Sequence, residues 1–316
     1  MSENWNTIVV GVDGSHHGFR ALEWAAGEAA ARGNGVLLLH ALALDSPEIW
    51  GAGGRIFADR VKELRQTATD LLAQASERLR ALAPGVRVGT HVAPESPVRA
   101  LLDAAAHADL IVVGTRGQSL AQRMVSGSVS RHVATHSPIP VVVVPEQAVE
   151  GSVVVGVDGS LAASTALHFA VDEARHRRSP LVVVNAWHES MMPGFGLIPP
   201  DERDYRVLAG LADELLQRQT APYRTMYPEL RITARAAHGD PTQVLLAESN
   251  GCGLLVLGSH SHNPVSRVLL GSLALTAVSN ATCPVAVVPC RRRHEQSVVP
   301  EARRPLAHIP DKIAPR

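Results

Sequence analysis

Aromatic residues are scarce in this chain: four Trp, three Tyr and four Phe among 316 residues. Few rings are available to stack bases, and the formal charge is zero, so no cationic stripe of the kind that follows a phosphate backbone is expected. Basic residues concentrate in one place, 291–316, with six Arg and one Lys against three acids, which leaves the chain before it at a net charge of −4. Nucleic acid is therefore not expected as the main partner. Cysteine is equally rare. Cys252, Cys283 and Cys290 are too few and too unevenly spaced for a disulfide framework, and no C-x-x-C pair occurs, so buried thiols in a reducing cytoplasm are expected. No apolar run is long enough to span a bilayer, and MSENWNTIVV contains neither a basic leader nor an apolar segment after it, so neither a membrane role nor export is expected.

Signature loops are missing too. No G-x-x-x-x-G-K-[ST], no strand-linked G-x-G-x-x-G and no G-x-S-x-G is found, which argues against P-loop hydrolases, dinucleotide oxidoreductases and α/β-hydrolases. The fifteen histidines do not make a metal site, because His16/His17 and His260/His262 lack matching ligand sets. No poised base is paired with a positioned nucleophile, so fast hydrolysis is not expected.

What the chain does contain is a duplication. VVGVDGS runs from Val9 to Ser15 and again from Val154 to Ser160, an offset of 145. Gly114 and Gly258, Gly127 and Gly271, Pro140 and Pro284, and Pro145 and Pro289 repeat at 144, so one deletion separates two parallel copies. The length also favours two compact units. Residues 1–146 and 147–290 are read as two domains, and 291–316 as an Arg/Pro-rich disordered tail.

Within each copy, short Val-rich runs alternate with long Ala/Leu-rich segments of helical period, the pattern of a parallel α/β sheet covered by helices on both faces. Strands are expected near 7–12, 36–41, 86–92, 109–113 and 140–144, and helices near 16–32, 57–82, 97–107 and 128–136. The second copy repeats the strands near 152–157, 181–186, 230–236, 254–257 and 284–288. Ser96-Pro97 and Asp240-Pro241 each place a capping oxygen before a proline at the first helical position. The stretches 42–56 and 188–200 differ most between copies and are read as lids or interaction loops.

In open α/β sheets, ligands bind beyond the carboxyl ends of the strands. Asp13-Gly14-Ser15 and Asp158-Gly159-Ser160 stand there, after the first strand of each copy. A turn or helix cap explains an aspartate in that place as well as a ligand does. Gly114-Thr115-Arg116-Gly117 follows the fourth strand, and Gly127-Ser128-Val129-Ser130 opens the next helix. Glycines allow close backbone approach, and exposed N–H groups at a helix start favour phosphate oxygens. Ser128 and Ser130 add hydroxyl donors, and Arg123, with Arg267 as its counterpart, can offset phosphate charge.

This spacing, with VDGS after the first strand and a closing P-V-V-V-V-P strand, resembles the ATP-binding branch of the universal stress protein family, over roughly residues 5–146 and 151–290. The resemblance implies two tandem open five-stranded parallel sheets of Rossmann-like type. It also implies ATP, with or without Mg2+, held between the first and fourth strands. Asp13 would serve the nucleoside end, Ala41 and its counterpart Ala186 the base through the backbone, and Gly114, Gly117, Gly127, Ser128 and Val129 the phosphates. Copy two departs from the pattern. Gly258-Ser259-His260-Ser261 has serine where the second glycine belongs, ahead of Gly271-Ser272-Leu273-Ala274. The resemblance further implies that the final strands, 140–144 and 284–288, pair across the copies. The function expected is a nucleotide-dependent regulator or sensor in stress or growth arrest, a homodimer acting on an unidentified protein partner. A slow ATPase or nucleotidyl-transferring relative and a nucleotide-free dimerisation scaffold are the alternatives.

Overall fold

The computed structural model describes residues 7–44, 54–115, 128–147, 150–188, 201–259 and 271–290, apart from the side chains of 54–58. Most of the two lid stretches and the whole tail lie outside these residues. The first copy runs β1 (Thr7–Gly11), α1 (His16–Arg32), β2 (Gly35–Ala41), α2 (Gly54–Leu82), β3 (Val88–Ala93), α3 (Pro97–Ala104), β4 (Leu110–Gly114), α4 (Ser128–His136) and β5 (Val141–Val144). The second runs β6 (Val153–Gly156), α5 (Leu161–Arg177), β7 (Leu181–Trp187), α6 (Glu202–Met226), β8 (Ile232–His238), α7 (Pro241–Glu248), β9 (Leu254–Ser259), α8 (Ser272–Asn280) and β10 (Val285–Pro289).

All ten strands form one sheet in the order β3-β2-β1-β4-β5-β10-β9-β6-β7-β8. Pairing within each copy is parallel, and the copies meet at β5 and β10, which run antiparallel with Val143 opposite Val285 and Val141 opposite Val287. The two expected five-stranded sheets are thus joined edge to edge through their final strands. The outer edges, β3 and β8, are only partly covered and carry Thr90, His91 and Arg235, polar residues that discourage pairing with another chain.

Strands such as VVVV in β5 are buried on both faces because helices cover each side. Alternate residues feed two cores, and each core crosses the junction. Ile8, Val10, Val112, Val142, Val155 and Ala286 pack under the face of α1, α2, α5 and α6. Val9, Ile111, Val143, Leu255 and Val287 pack with α3, α4, α7 and α8 on the other.

Helix ends follow their residues. Ser15 and Ser160 cap α1 and α5, accepting from the N–H of Gly18 and of Ala163. Asp240 caps α7 through the N–H groups of Thr242 and Gln243. Ser96, expected to do the same for α3, makes no side-chain capping bond, and that helix starts on the preset φ of Pro97. It stops at Ala104 and continues as a single 3-10 turn, Ala105–His107, where the sequence suggested an unbroken helix.

Beside the strand junction, α1 and α5 meet through an ionic quartet. Glu28 and Glu173 are 2 % and 0 % exposed. Arg32 reaches Glu28 on its own helix and Glu173 across the junction at 2.5 Å, and Arg177 reaches Glu173 at 3.0 Å and Glu28 across it. Trp24 lies 4.6 Å from Arg177, and Phe169 lies 5.9 Å from Arg32. Every member has its counterpart 145 residues away, as a two-fold relation between the copies requires.

Burial raises the Glu28 carboxyl, yet Arg177 and Arg32 hold it below its ordinary value. Burial and the neighbouring Glu28 charge push Glu173 up to about 7 against the same arginines. Between the ordinary 4.5 and about 7 the folded chain holds a proton on Glu173 that the unfolded chain has released. Raising the pH through that window therefore costs stability, by up to about 1.4 kcal/mol per pH unit. Chemical denaturation of wild type and Glu173→Gln from about pH 5 to about pH 8 is expected to show wild type losing ground to the variant as pH rises, with no further change above about 7. A difference independent of pH contradicts this reading.

Candidate functional site

In each half the first strand lies between the second and the fourth, so the crossovers on its two sides diverge and leave a crevice at its carboxyl end. Because β5 and β10 are antiparallel, the two crevices open at opposite edges of the joined sheet.

In copy one the chain leaves β1 through Val12, whose N–H donates to Leu39 at 2.9 Å. Gly14 then takes a φ of 79°, a left-handed turn that brings the chain into α1. The Asp13 carboxylate, half-buried, accepts from the Ser15 N–H at 3.0 Å and the Ser15 hydroxyl at 2.6 Å. Ser15 also caps the helix, so its hydroxyl serves to fix Asp13 and α1 together. The first turns of α1 and α4 contain no acidic residue, and the positive end of each helix dipole favours an anion at this edge.

Copy two keeps the turn but not the arrangement. Gly159 has a φ of 84°, and Asp158 accepts the Ser160 N–H at 2.9 Å, but Asp158 is exposed. The difference has a steric origin. A Cβ on Gly18 would lie 2.7 Å from Asp13 Oδ1, inside van der Waals contact. Copy two has Ala163 at the corresponding position, so its methyl takes the space that the carboxylate occupies in copy one.

Glycine at the end of the fourth strand is explained by packing. A Cβ on Gly114 would sit 2.6 Å from the His17 carbonyl oxygen, and one on Gly258 2.5 Å from that of Ala162. Each glycine therefore lets the first helix of its copy settle on the sheet. Thr115 Oγ1 and His17 Nδ1 share a 3.3 Å hydrogen bond across the same contact, which brings residues 13–17 and 114–115 together. Ser259, after Gly258, is 3 % exposed.

Of the remaining expected residues, Ser128 and Val129 open α4, and Gly271, Ser272 and Leu273 open α8. Ser130 and its counterpart Ala274 are 4 % and 2 % exposed, which leaves their backbone groups as what they can offer a ligand. Ala41 and Ala186 sit at or near the ends of β2 and β7. Arg116, Gly117, Arg123, Gly127, His260 and Arg267 lie outside the described residues.

Two polar residues that the motif reading passed over complete each crevice wall. The His40 Nδ1–H donates to the Val12 carbonyl at 2.7 Å, and the Asn185 Nδ2–H donates to the Val157 carbonyl at 2.7 Å. Each ties the second strand to the loop carrying the aspartate. A carbonyl only accepts, so His40 carries its proton on Nδ1. Copy two also gathers aromatic rings there, with Trp187 at 4.7 Å and Tyr205 at 5.4 Å from the His238 ring. Among the described residues no group of three His, Cys, Asp or Glu is placed to hold a metal, and no helix is long and apolar enough to cross a membrane.

Fold and crevice together define a duplicated, doubly wound α/β protein of Rossmann-like type. The sequence profile of the universal stress protein family matches residues 4–145 and 151–289, and the chain belongs to that family. A universal stress protein of Mycolicibacterium smegmatis (strain ATCC 700084 / mc(2)155) is 32 % identical over 298 residues, covering 89 % of this chain and 96 % of its own. One from Mycobacterium tuberculosis (strain ATCC 25618 / H37Rv) is 32 % identical over 300 residues, covering 89 % and 95 %. Among solved structures, a universal stress protein from Archaeoglobus fulgidus DSM 4304 superposes with a TM-score of 0.65 at 19 % identity, over 92 % of this chain and 100 % of its own.

The packing role of the strand-end glycines is open to a direct check. Gly114→Ala and Gly258→Ala are each expected to lower unfolding free energy by about 1–3 kcal/mol, because backbone must move. Gly27, inside α1 with nothing within 4 Å of its Cβ position, supplies the control: Gly27→Ala is expected to stabilise by about 0.5–1 kcal/mol. Equal effects at all three positions in chemical denaturation contradict the steric account.

Proposed function

We propose that this chain is an adenine-nucleotide-binding regulator of stress or growth arrest, with ATP as its ligand, Mg2+ on the phosphates, and binding rather than turnover as its function. The observation that supports this most is the half-buried Asp13 carboxylate, held by Ser15 at the junction of β1 and β4 beside helix starts that contain no acid. A fixed carboxylate suits ribose hydroxyls, which donate to it, and the N–H groups at the start of α4 suit phosphate oxygens. The Ser128 hydroxyl adds a donor there. Gly117, Arg123 and Gly127 join the phosphate site in this reading, and the main chain of Ala41 faces the base.

Copy two fits less well, since Asp158 is exposed and Ser261 replaces the second loop glycine. Its base position, near Ala186, borders the Trp187, Tyr205 and His238 rings, which favour a flat ligand. Two unequal sites are therefore proposed, with the occupied surface read by a partner protein. A dimer of whole chains in the cytoplasm belongs to the same proposal.

Isothermal titration of Mg-ATP into wild type, Asp13→Ala and Asp158→Ala tests it. Wild type is expected to bind at two unequal sites, Asp13→Ala to weaken the tighter one by about tenfold or more, and Asp158→Ala to affect the weaker one alone. No binding by wild type, or Asp13→Ala binding as wild type does, overturns the reading.

A further inference from the structure

In copy one, α1 and α2 are tied together by Phe19, Glu23 and Arg78. The Arg78 guanidinium stands 5.6 Å from the Phe19 ring and pairs with Glu23, which also takes Arg20 at 2.9 Å. Copy two keeps none of this. The 145 offset puts Ser164 at the place of Phe19 and His168 at that of Glu23, and the 144 offset puts Pro222 at the place of Arg78. The second offset is fixed by Ser76 and Thr220, buried hydroxyls that each donate at 2.7 Å to a carbonyl four residues back.

Where the ring and guanidinium stand in copy one, copy two has a groove of about 470 Å³ between α5 and α6, within the roughly 300–1,000 Å³ typical of small-molecule sites. Leu167, Leu215 and Pro222 form its apolar walls. One end closes on the loop bearing Asp158, where a Cβ on Gly159 would lie 3.2 Å from Leu215. The groove therefore runs along the helices, beside the nucleotide crevice.

The Ser164 hydroxyl in its wall is satisfied by the Ser160 carbonyl at 3.0 Å, but one buried polar atom is unmatched. Gln219 stands where copy one has the buried Ala75, and its Oε1 is buried without a hydrogen-bond partner. Leaving such an atom unpaired costs about 1–3 kcal/mol. Pro222 lies inside α6 and has no N–H for the Arg218 carbonyl four residues back. The Arg218 side chain is exposed at the rim. A buried acceptor and a cation at the mouth suit a ligand with a donor on its body and an anion at its end.

We propose that copy two carries a second ligand site between α5 and α6 for a small heteroaromatic carboxylic acid, its ring N–H on Gln219 Oε1, its carboxylate on Arg218, and its rings between Leu167, Leu215 and Pro222. The site is separate from the nucleotide crevice, so its failure and that of the nucleotide reading are independent. Ser164→Phe restores the copy-one residue and fills the groove, and Arg218→Gln removes the cation from an exposed position that folding does not depend on.

Saturation-transfer NMR and calorimetry with indole-3-propionate, its alcohol analogue indole-3-propanol and 1-methylindole-3-propionate read these contacts separately. Wild type is expected to bind the propionate saturably at one site per chain, with each analogue about tenfold weaker. Ser164→Phe is expected to abolish binding, Arg218→Gln to reduce the propionate to the level of the alcohol, and Mg-ATP to leave it unchanged. The proposal is overturned if wild type shows no saturable binding below about 10 mM, or if Arg218→Gln and Ser164→Phe bind as wild type does. Displacement by Mg-ATP would also overturn it, since the probe would then be in the crevice.

Discussion

The antiparallel pairing of β5 with β10 is the contact on which the rest of the molecule depends. A five-stranded sheet standing alone would expose its last strand as an unpaired valine edge, a hazard for aggregation. Pairing the two edges satisfies their backbone groups and turns two small cores into two that extend across both copies. It also sets the direction of everything else. Antiparallel strands at the junction send the two crevices to opposite edges and bring α1 and α5 side by side on one face. The buried Glu28–Arg32–Glu173–Arg177 quartet follows from that meeting. A buried ionic group of this kind adds little net stability against an apolar replacement, but it is unforgiving of a lost partner, so it fixes which helices face each other.

The duplication has kept the frame and let the details diverge. Gly18 against Ala163 decides whether the aspartate after the first strand folds inward or stays exposed. Phe19 against Ser164, and Arg78 against Pro222, decide whether the two helices on that face are tied or separated by a groove. Each difference is one side chain placed on a shared backbone, with chemical consequences that are large for so small a change. One copy is thereby suited to a fixed polar ligand at the sheet edge, and the other carries aromatic rings at its edge and a second cavity along its helices.

Much of this was legible in the sequence. The helices 16–32 and 128–136 occupy the residues expected of them, because Ser15 and the Gly-Ser at 127–128 are strong helix starts and the apolar period runs unbroken to their ends. The strand before α7 was displaced by about two residues, since Ile232–His238 is an edge strand with little apolar alternation. The quartet was hidden because Glu and Arg four residues apart on a helix read as solvated pairs, and only their recurrence at 145 marks them. His40 and Asn185 carried the same mark, as polar residues in the same place of otherwise apolar strands. Strand-end glycines suggest phosphate approach by sequence, whereas their constraint in the fold is a helix backbone within 3 Å of where a Cβ would stand. The groove leaves no such mark in the repeat, because it arises where the two copies differ.

Hydrogen exchange of the full chain with and without Mg-ATP measures the central claim, that nucleotide enters at the carboxyl edge of β1 through Asp13. The account expects slowed exchange in peptides spanning residues 12–18 and 110–115 of copy one, smaller slowing around 157–163 of copy two, and, at equal sub-saturating nucleotide, much less slowing in copy one for Asp13→Ala. Unchanged exchange at residues 12–18 under saturating Mg-ATP, or slowing there at sub-saturating Mg-ATP that is the same in Asp13→Ala as in wild type, would contradict it.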